Sequence, residues 1–216
     1  MAKTEHYYTR FEAGCFYHVY NCTVDKKKLF ANTDNYFFFL RRYNDYLSGV
    51  VDTYVYNLLG NHFHLLLRVK SLAELTLYKK MTQQDKQPKK DIVVKPDRVH
   101  DIVSHQFKKF FQSYAMAFNK QQERTGTLFQ TPFKRAKIDS NYYLKSCVRY
   151  IHTNAQKHGL VKDFRDYPWS SYHSYLSQKP TKLHREQAIE WFVDLIGFLE
   201  QHNQMPEDTQ KDWHLE

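Results

Sequence analysis

Val50-Val51-Asp52-Thr53-Tyr54-Val55-Tyr56-Asn57-Leu58-Leu59-Gly60-Asn61-His62-Phe63-His64-Leu65-Leu66-Leu67-Arg68-Val69 is the stretch from which the fold is read. Two runs rich in β-branched, aromatic and aliphatic residues flank Gly60-Asn61, a two-residue turn signal, so the stretch reads as the two arms of a β-hairpin. In a strand, residues i and i+2 share a face, so His62 and His64 project together on one side while Phe63 goes to the other. Two imidazoles on one face can hold one metal ion. A strand end beside a tight turn lies at a sheet rim, where a ligand has access, whereas a mid-strand histidine is more often a satisfied core residue. Chance supplies about 0.7 His-x-His pairs in a chain of this histidine content, so the rest of the sequence has to decide.

Upstream, Cys15-Phe16-Tyr17-His18-Val19-Tyr20-Asn21 has the composition of a first strand. Lys26-Lys27-Lys28 follows as a basic loop, either a phosphate contact or a solvated turn. Residues 33–47 read as a helix capped by Thr33 or Asp34, with Phe37, Leu40, Tyr43 and Leu47 as its apolar stripe. Downstream of the hairpin, residues 71–81 suit a short helix, and 82–97 form a loop rich in lysine, glutamine and proline. Residues 98–124 make the longest helical stretch, with Ile102, Phe107, Phe110, Phe111, Tyr114, Met116, Ala117 and Phe118 facing a sheet. An extended segment at 133–138 precedes a helix over 141–157, capped by Asp139 or Ser140. The apolar stripe of that helix is Leu144, Cys147, Val148, Ile151 and Ala155; Tyr150 and Asn154, four apart, share a face beside it. A last helix is expected over 185–202, with Ile189, Phe192, Val193, Ile196 and Leu199 inward.

Composition narrows the function classes. The 216 residues carry 32 Lys and Arg against 23 Asp and Glu, a net charge of +9 with a pI near 9.3, the footprint of a polyanion binder. Many of the aromatic side chains alternate with basic ones, as in Phe107-Lys108-Lys109-Phe110-Phe111 and Phe133-Lys134-Arg135, a combination suited to single strands whose unstacked bases lie on rings while cations track phosphate. Lys108, Lys109, Lys134, Arg135, Lys137 and Arg149 are the candidate nucleic-acid contacts. No apolar run is long enough to span a bilayer, and the N-terminus lacks the apolar segment of a signal peptide, so a cytoplasmic location is expected. Three cysteines without metal-type spacing fit reduced thiols. No phosphate-binding Gly-x-x-x-x-Gly-Lys-Ser/Thr loop points to ATP.

Gly60-Asn61-His62-Phe63-His64-Leu65-Leu66-Leu67 resembles the histidine-hydrophobic-histidine signature of the single-tyrosine HUH transposases. Arg124-Thr125-Gly126-Thr127-Leu128-Phe129-Gln130 with Phe133-Lys134 is similar to a second block of that family. Tyr142-Tyr143-Leu144 leading to Arg149-Tyr150-Ile151-His152-Thr153-Asn154 and His158-Gly159-Leu160-Val161 is similar to a third, and Pro168-Trp169-Ser170-Ser171-Tyr172 to a fourth. The blocks stand in family order, and the last two most resemble the REP-associated tyrosine transposases. The chain departs from the family pattern in having Leu59-Gly60 where Met-Pro is usual, and Asn154-Ala155 where Asn-Pro is usual.

The resemblance implies an α+β fold, a ferredoxin-like antiparallel sheet with helices on one face, plus a C-terminal helical extension. It implies a catalytic domain over 1–160, interrupted by a basic insertion at about 79–97, and an extension over 161–216. By the same match, Tyr150 is the nucleophile, with Tyr142 and Tyr143 as the nearest rivals, and His62, His64 and Asn154 are the metal ligands. Imidazole and amide-oxygen donors with open water positions favour Mg²⁺ or Mn²⁺ over a closed zinc site. The implied reaction is cleavage and rejoining of single-stranded DNA beside a hairpin through a 5′-phosphotyrosine, by a monomer or a homodimer. Two other readings stay open: a non-cutting binder of hairpin or single-stranded nucleic acid, and a metal-dependent hydrolase in which the histidines activate water.

Overall fold

In a computed structural model that describes residues 8–82 and 92–204, the hairpin forms as expected: strand β2 (Val51–Leu58) turns through Gly60 and Asn61 into β3 (His62–Val69). β1 (Phe16–Cys22) pairs antiparallel with the other side of β3, and β4 (Lys134–Ile138) with the outer side of β1, giving the sheet order β2-β3-β1-β4. Helix α1 (Thr33–Leu47) links β1 to β2, and α2 (Leu72–Thr82) and α3 (Val99–Gln121) link β3 to β4. This βαββαβ order with alternating antiparallel strands is the ferredoxin-like arrangement.

The pleat divides the sheet into two faces. Tyr17 and Val19 of β1, with Phe63, Leu65, Leu67 and Val69 of β3, pack against Phe39, Tyr43 and Leu47 of α1 and Phe107, Phe110 and Tyr114 of α3. The two helices of the βαββαβ unit thus lie on one face, with the main core beneath them. Tyr20 and Leu66 turn the other way, toward α4 (Asn141–Lys157) and the C-terminal helices α5 (Tyr172–Leu176), α6 (Arg185–Glu190) and α7 (Leu195–Asn203). In β2 a bulge between Thr53 and Val55 shifts the register, and both Tyr54 and Val55 then join this second core.

Several boundaries differ from the sequence expectation for local reasons. The N-cap of α1 is Asn32, which forms a capping box with Asn35, and the buried stripe is Asn35, Phe39, Tyr43 and Leu47; Phe37 is 60% exposed. In α3, Met116 and Ala117 face solvent. The expected last helix is two. Val193 adopts φ 80° and Asp194 starts a new helix by accepting a hydrogen bond from the Gly197 amide, so the chain turns between α6 and α7. Val193 and Ile196 consequently face solvent, while Phe198 and His202 turn inward. Phe11, ahead of β1, is buried against Tyr17, Phe107 and Phe133. Of the expected basic insertion, residues 83–91 lie outside the described residues; the chain on either side is tied together by the Val94 amide donating to Thr76 Oγ1.

Pro168 to Ser171 closes the outer edge of β2. The Leu58 amide donates to the Trp169 carbonyl (3.0 Å) and the Ser171 amide to the Tyr56 carbonyl (2.9 Å), satisfying groups that an open edge would leave for another chain. Trp169 stacks on Tyr36 of α1 (4.1 Å between centroids), whereas Tyr172 packs with Phe164 and Phe198 on the other face.

Candidate active site

The site begins at the hairpin turn, whose carbonyls are held from outside: the Leu29 amide donates to Gly60 O (2.7 Å) and the Thr23 amide to Asn61 O (3.1 Å). The Asn61 side chain is fixed as well, Nδ2 donating to Lys26 O (3.1 Å). Its Oδ1 can then only accept, and it lies 2.6 Å from His62 Nδ1. His62 therefore carries its proton on Nδ1 and has its lone pair on Nε2. Two residues on and on the same face, His64 is fully embedded, with Nδ1 3.0 Å from Nε2 of His18 on β1.

Helix α4 lies across this face. Ser140 caps it, accepting from the Tyr143 amide, and Leu144, Cys147, Val148, Ile151 and Ala155 are buried as the periodicity requires. Burial extends further round the helix than one stripe, because α4 is covered by the sheet on one side and the C-terminal helices on the other. Asn57 of β2 pins it by donating to the Ile151 carbonyl (2.7 Å). Tyr150 and Asn154 therefore face the histidine pair. The Tyr150 ring stands edge-on to His64 (5.5 Å between centroids, 88°), and the Asn154 side chain lies beside His62. Tyr142 and Tyr143, at the start of the helix, are solvent-exposed. Three of the four residues expected from sequence, Tyr150, His62 and His64, thus line one cleft of about 310 Å³ together with Lys134, and the fourth, Asn154, is buried beside His62.

The surroundings favour neutral imidazoles. Burial lowers His18 to about 3; burial, followed by the charge of nearby His158, lowers His62 to about 4; burial and then His18 hold His64 well below the ordinary range. Neutral nitrogen is the form that binds metal. Asn154 Oδ1 is buried without a hydrogen-bond partner, an oxygen whose desolvation a cation would offset. Two imidazoles and this amide oxygen fit a divalent ion that retains water ligands. Among the described residues no cluster of three or more His, Cys, Asp or Glu has metal-holding geometry, so the fit depends on the amide.

The expected DNA contacts separate. Lys134 shares a face with Tyr20 and borders the cleft. Arg135, one residue on, points to the opposite face, buried between the rings of Phe11 and Phe133 and donating to the Thr9 carbonyl (2.7 Å). Lys137 shares that opposite face and pairs with Glu12 (2.8 Å). Lys108 and Lys109 are exposed on α3, across the sheet from the histidines. Arg149 reaches toward α7, donating to the Gln201 carbonyl.

Other residues in and around the cleft had a signal in the sequence. Phe16, His18, Tyr20 and Cys22 alternate along β1 on the face of the histidine pair, and His158 follows Asn154 by one helical turn, its ring 4.8 Å from that of His62. Lys157, in the same turn, places its ammonium over the Tyr150 ring (4.8 Å). His152 is structural. His202 Nδ1 donates to the Phe198 carbonyl, leaving its Nε2 to accept from His152 Nδ1 (3.0 Å), and His152 Nε2 accepts from the Ser171 hydroxyl (2.9 Å).

The chain thus presents a ferredoxin-like sheet whose His-x-His strand end faces a helix-borne tyrosine. No family model and no curated protein matches the sequence. Among solved structures the chain is similar to a REP-associated tyrosine transposase bound to a REP hairpin, with a TM-score of 0.54 and 16% identity over 80% of this chain and 86% of that one. At that identity the likeness establishes a shared fold.

Proposed function

We propose that this chain is a metal-dependent strand transferase for single-stranded DNA, cutting and rejoining beside a hairpin through a 5′-phosphotyrosine on Tyr150. The observation that carries the reading is that Tyr150, His62 and His64 line one cleft, with Asn154 buried beside His62. The fold shared with a transposase captured on a REP hairpin supports the hairpin as partner. Since all four groups belong to one chain, the reading needs no second copy for a complete site.

His62 and His64, through Nε2, and Asn154, through Oδ1, would hold Mg²⁺ or Mn²⁺. The ion supplies polarisation of the phosphoryl oxygen, which a phenol needs from its surroundings to attack near neutral pH. Tyr150 Oη attacks phosphorus, giving up its proton, and the bond to the 3′ oxygen breaks. That oxygen takes up a proton and leaves as a 3′-hydroxyl, while the 5′ phosphate stays esterified to Tyr150. Attack by a 3′-hydroxyl reverses the step and reseals DNA, which accounts for chemistry without ATP. Packing against His64 holds the Tyr150 ring, and Lys134 at the cleft border offers a cation to the backbone.

The test is incubation of the protein with end-labelled hairpin oligonucleotides and Mg²⁺ or Mn²⁺, followed by a denaturing gel. A covalent adduct is expected, absent in Tyr150→Phe and in His62→Ala. Binding without adduct would assign the chain to non-cutting binders, and cleavage that survives Tyr150→Phe would assign it to hydrolases.

A further inference from the structure

We propose that His18 is a positioning residue for His64, an imidazole acceptor that holds the His64 ring with Nε2 toward the cleft. The inference rests on the reading of His64 as a metal ligand. A ligating imidazole has one nitrogen on the ion and its other N–H on an acceptor that fixes tautomer and orientation, a role usually filled by a carboxylate or a carbonyl. For His62 the amide oxygen of Asn61 does this. For His64 the group at Nδ1 is Nε2 of His18, at 3.0 Å.

The sheet explains why this pair meets. In the β1–β3 register His18 lies opposite Leu66 and Tyr20 opposite His64, so His18 and His64 are diagonal neighbours on one face. Both rings are buried, and they lie within 21° of parallel with centroids 5.2 Å apart. If His18 donated, the His64 proton would have to sit on Nε2, and that nitrogen would have no lone pair for a cation. Ligation therefore requires the other direction: His64 Nδ1–H donates to His18 Nε2, and the His18 proton sits on Nδ1. A neutral acceptor also adds no negative charge behind the ligand, so His64 stays a weaker donor than a histidine backed by a carboxylate, in keeping with a labile Mg²⁺ or Mn²⁺ site.

The experiment uses ¹⁵N-histidine-labelled, metal-free protein, wild type and the variants His18→Gln and His18→Phe. Long-range ¹H–¹⁵N correlations report the tautomers, and calorimetric titration with Mn²⁺ reports affinity. In the wild type, His64 is expected as the Nδ1–H form. His18→Phe, which keeps a ring but no acceptor, should weaken Mn²⁺ binding about 10- to 100-fold. His18→Gln, whose Oε1 can reach the place of Nε2, should restore most of the affinity. A wild-type His64 protonated on Nε2, or a folded His18→Phe that binds Mn²⁺ as tightly as wild type, overturns the proposal. If His18→Phe does not fold, the wild-type tautomer and the His18→Gln affinity decide it. Absence of Mn²⁺ binding in the wild type would instead sink the metal reading itself, and the His64 tautomer would still give the direction of the His18 contact.

Discussion

Lys134 and Arg135 are adjacent in β4 and have opposite fates, because successive side chains in a strand leave on opposite faces. Lys134 borders the cleft, where it can meet phosphate; the Arg135 guanidinium is buried, stacked between two phenyl rings and hydrogen-bonded to backbone. Lys134→Ala should weaken binding of a single-stranded oligonucleotide and reduce the slope of log K against log salt by about one, with little change in stability. Arg135→Ala should lower stability by roughly 2–3 kcal/mol, through unpaired carbonyls and a cavity. Fluorescence anisotropy across a salt series and urea melts separate the two; equal losses of DNA binding in both folded variants would refute the division. Both residues were plausible phosphate contacts in the sequence, where basic charge is visible. Which face each takes became clear only from the β1–β4 register.

At the scale of elements, the break between α6 and α7 shows what amphipathic periodicity misses. The spacing of Ile189, Phe192, Val193, Ile196 and Leu199 fits one helix, yet Asp194 is a good N-cap and Gly197 removes the Cβ that would obstruct the turn. A Cβ at Gly197 would lie 2.3 Å from the Phe192 carbonyl oxygen. Gly197→Ala should thus force backbone movement, cost on the order of 1–3 kcal/mol, and disturb Phe198 and His202. A thermal melt unchanged from wild type would show that the turn relaxes at no cost. The Asp and Gly signals stood in the sequence, but they compete with an apolar stripe of comparable strength, and burial of Phe198 against Tyr175 decides between them.

Across the whole molecule, the sheet separates a bulk core under α1 and α3 from a face where α4 is held between the sheet and the C-terminal helices. That second face contains buried neutral histidines, and its stability depends on pH. Burial, followed by opposing help from the Phe198 carbonyl and repulsion from Arg149 and Arg165, leaves His202 at about 4 in the folded protein. The unfolded chain takes up this proton near 6.5, so the stabilisation is fully present above that value and is lost as pH falls toward 4. Over this window His202 accounts for roughly 3 kcal/mol, at about 1.4 kcal/mol per pH unit. Urea unfolding at pH 7 and pH 5 should show a steep loss in the wild type and a shallower one in His202→Gln; parallel losses would count against His202 as a source.

The sequence by itself determined the strands, the hairpin and most helices, because alternation, 3.6-residue periodicity, caps and turn residues act over a few positions. It also supplied the histidine pair on one face, and Tyr150 and Asn154 one turn apart. Family resemblance then linked the two pairs, since nothing local relates a strand end to a helix far downstream. Tertiary structure decided the rest: α4 crosses the sheet on the face opposite α1 and α3, so that Tyr150 stands against His64, His18 backs His64 from the neighbouring strand, and Arg135 is withdrawn from the cleft. These outcomes depend on strand order, register and which face a helix covers, which are properties of the packed molecule and have no signature in any single stretch of the chain.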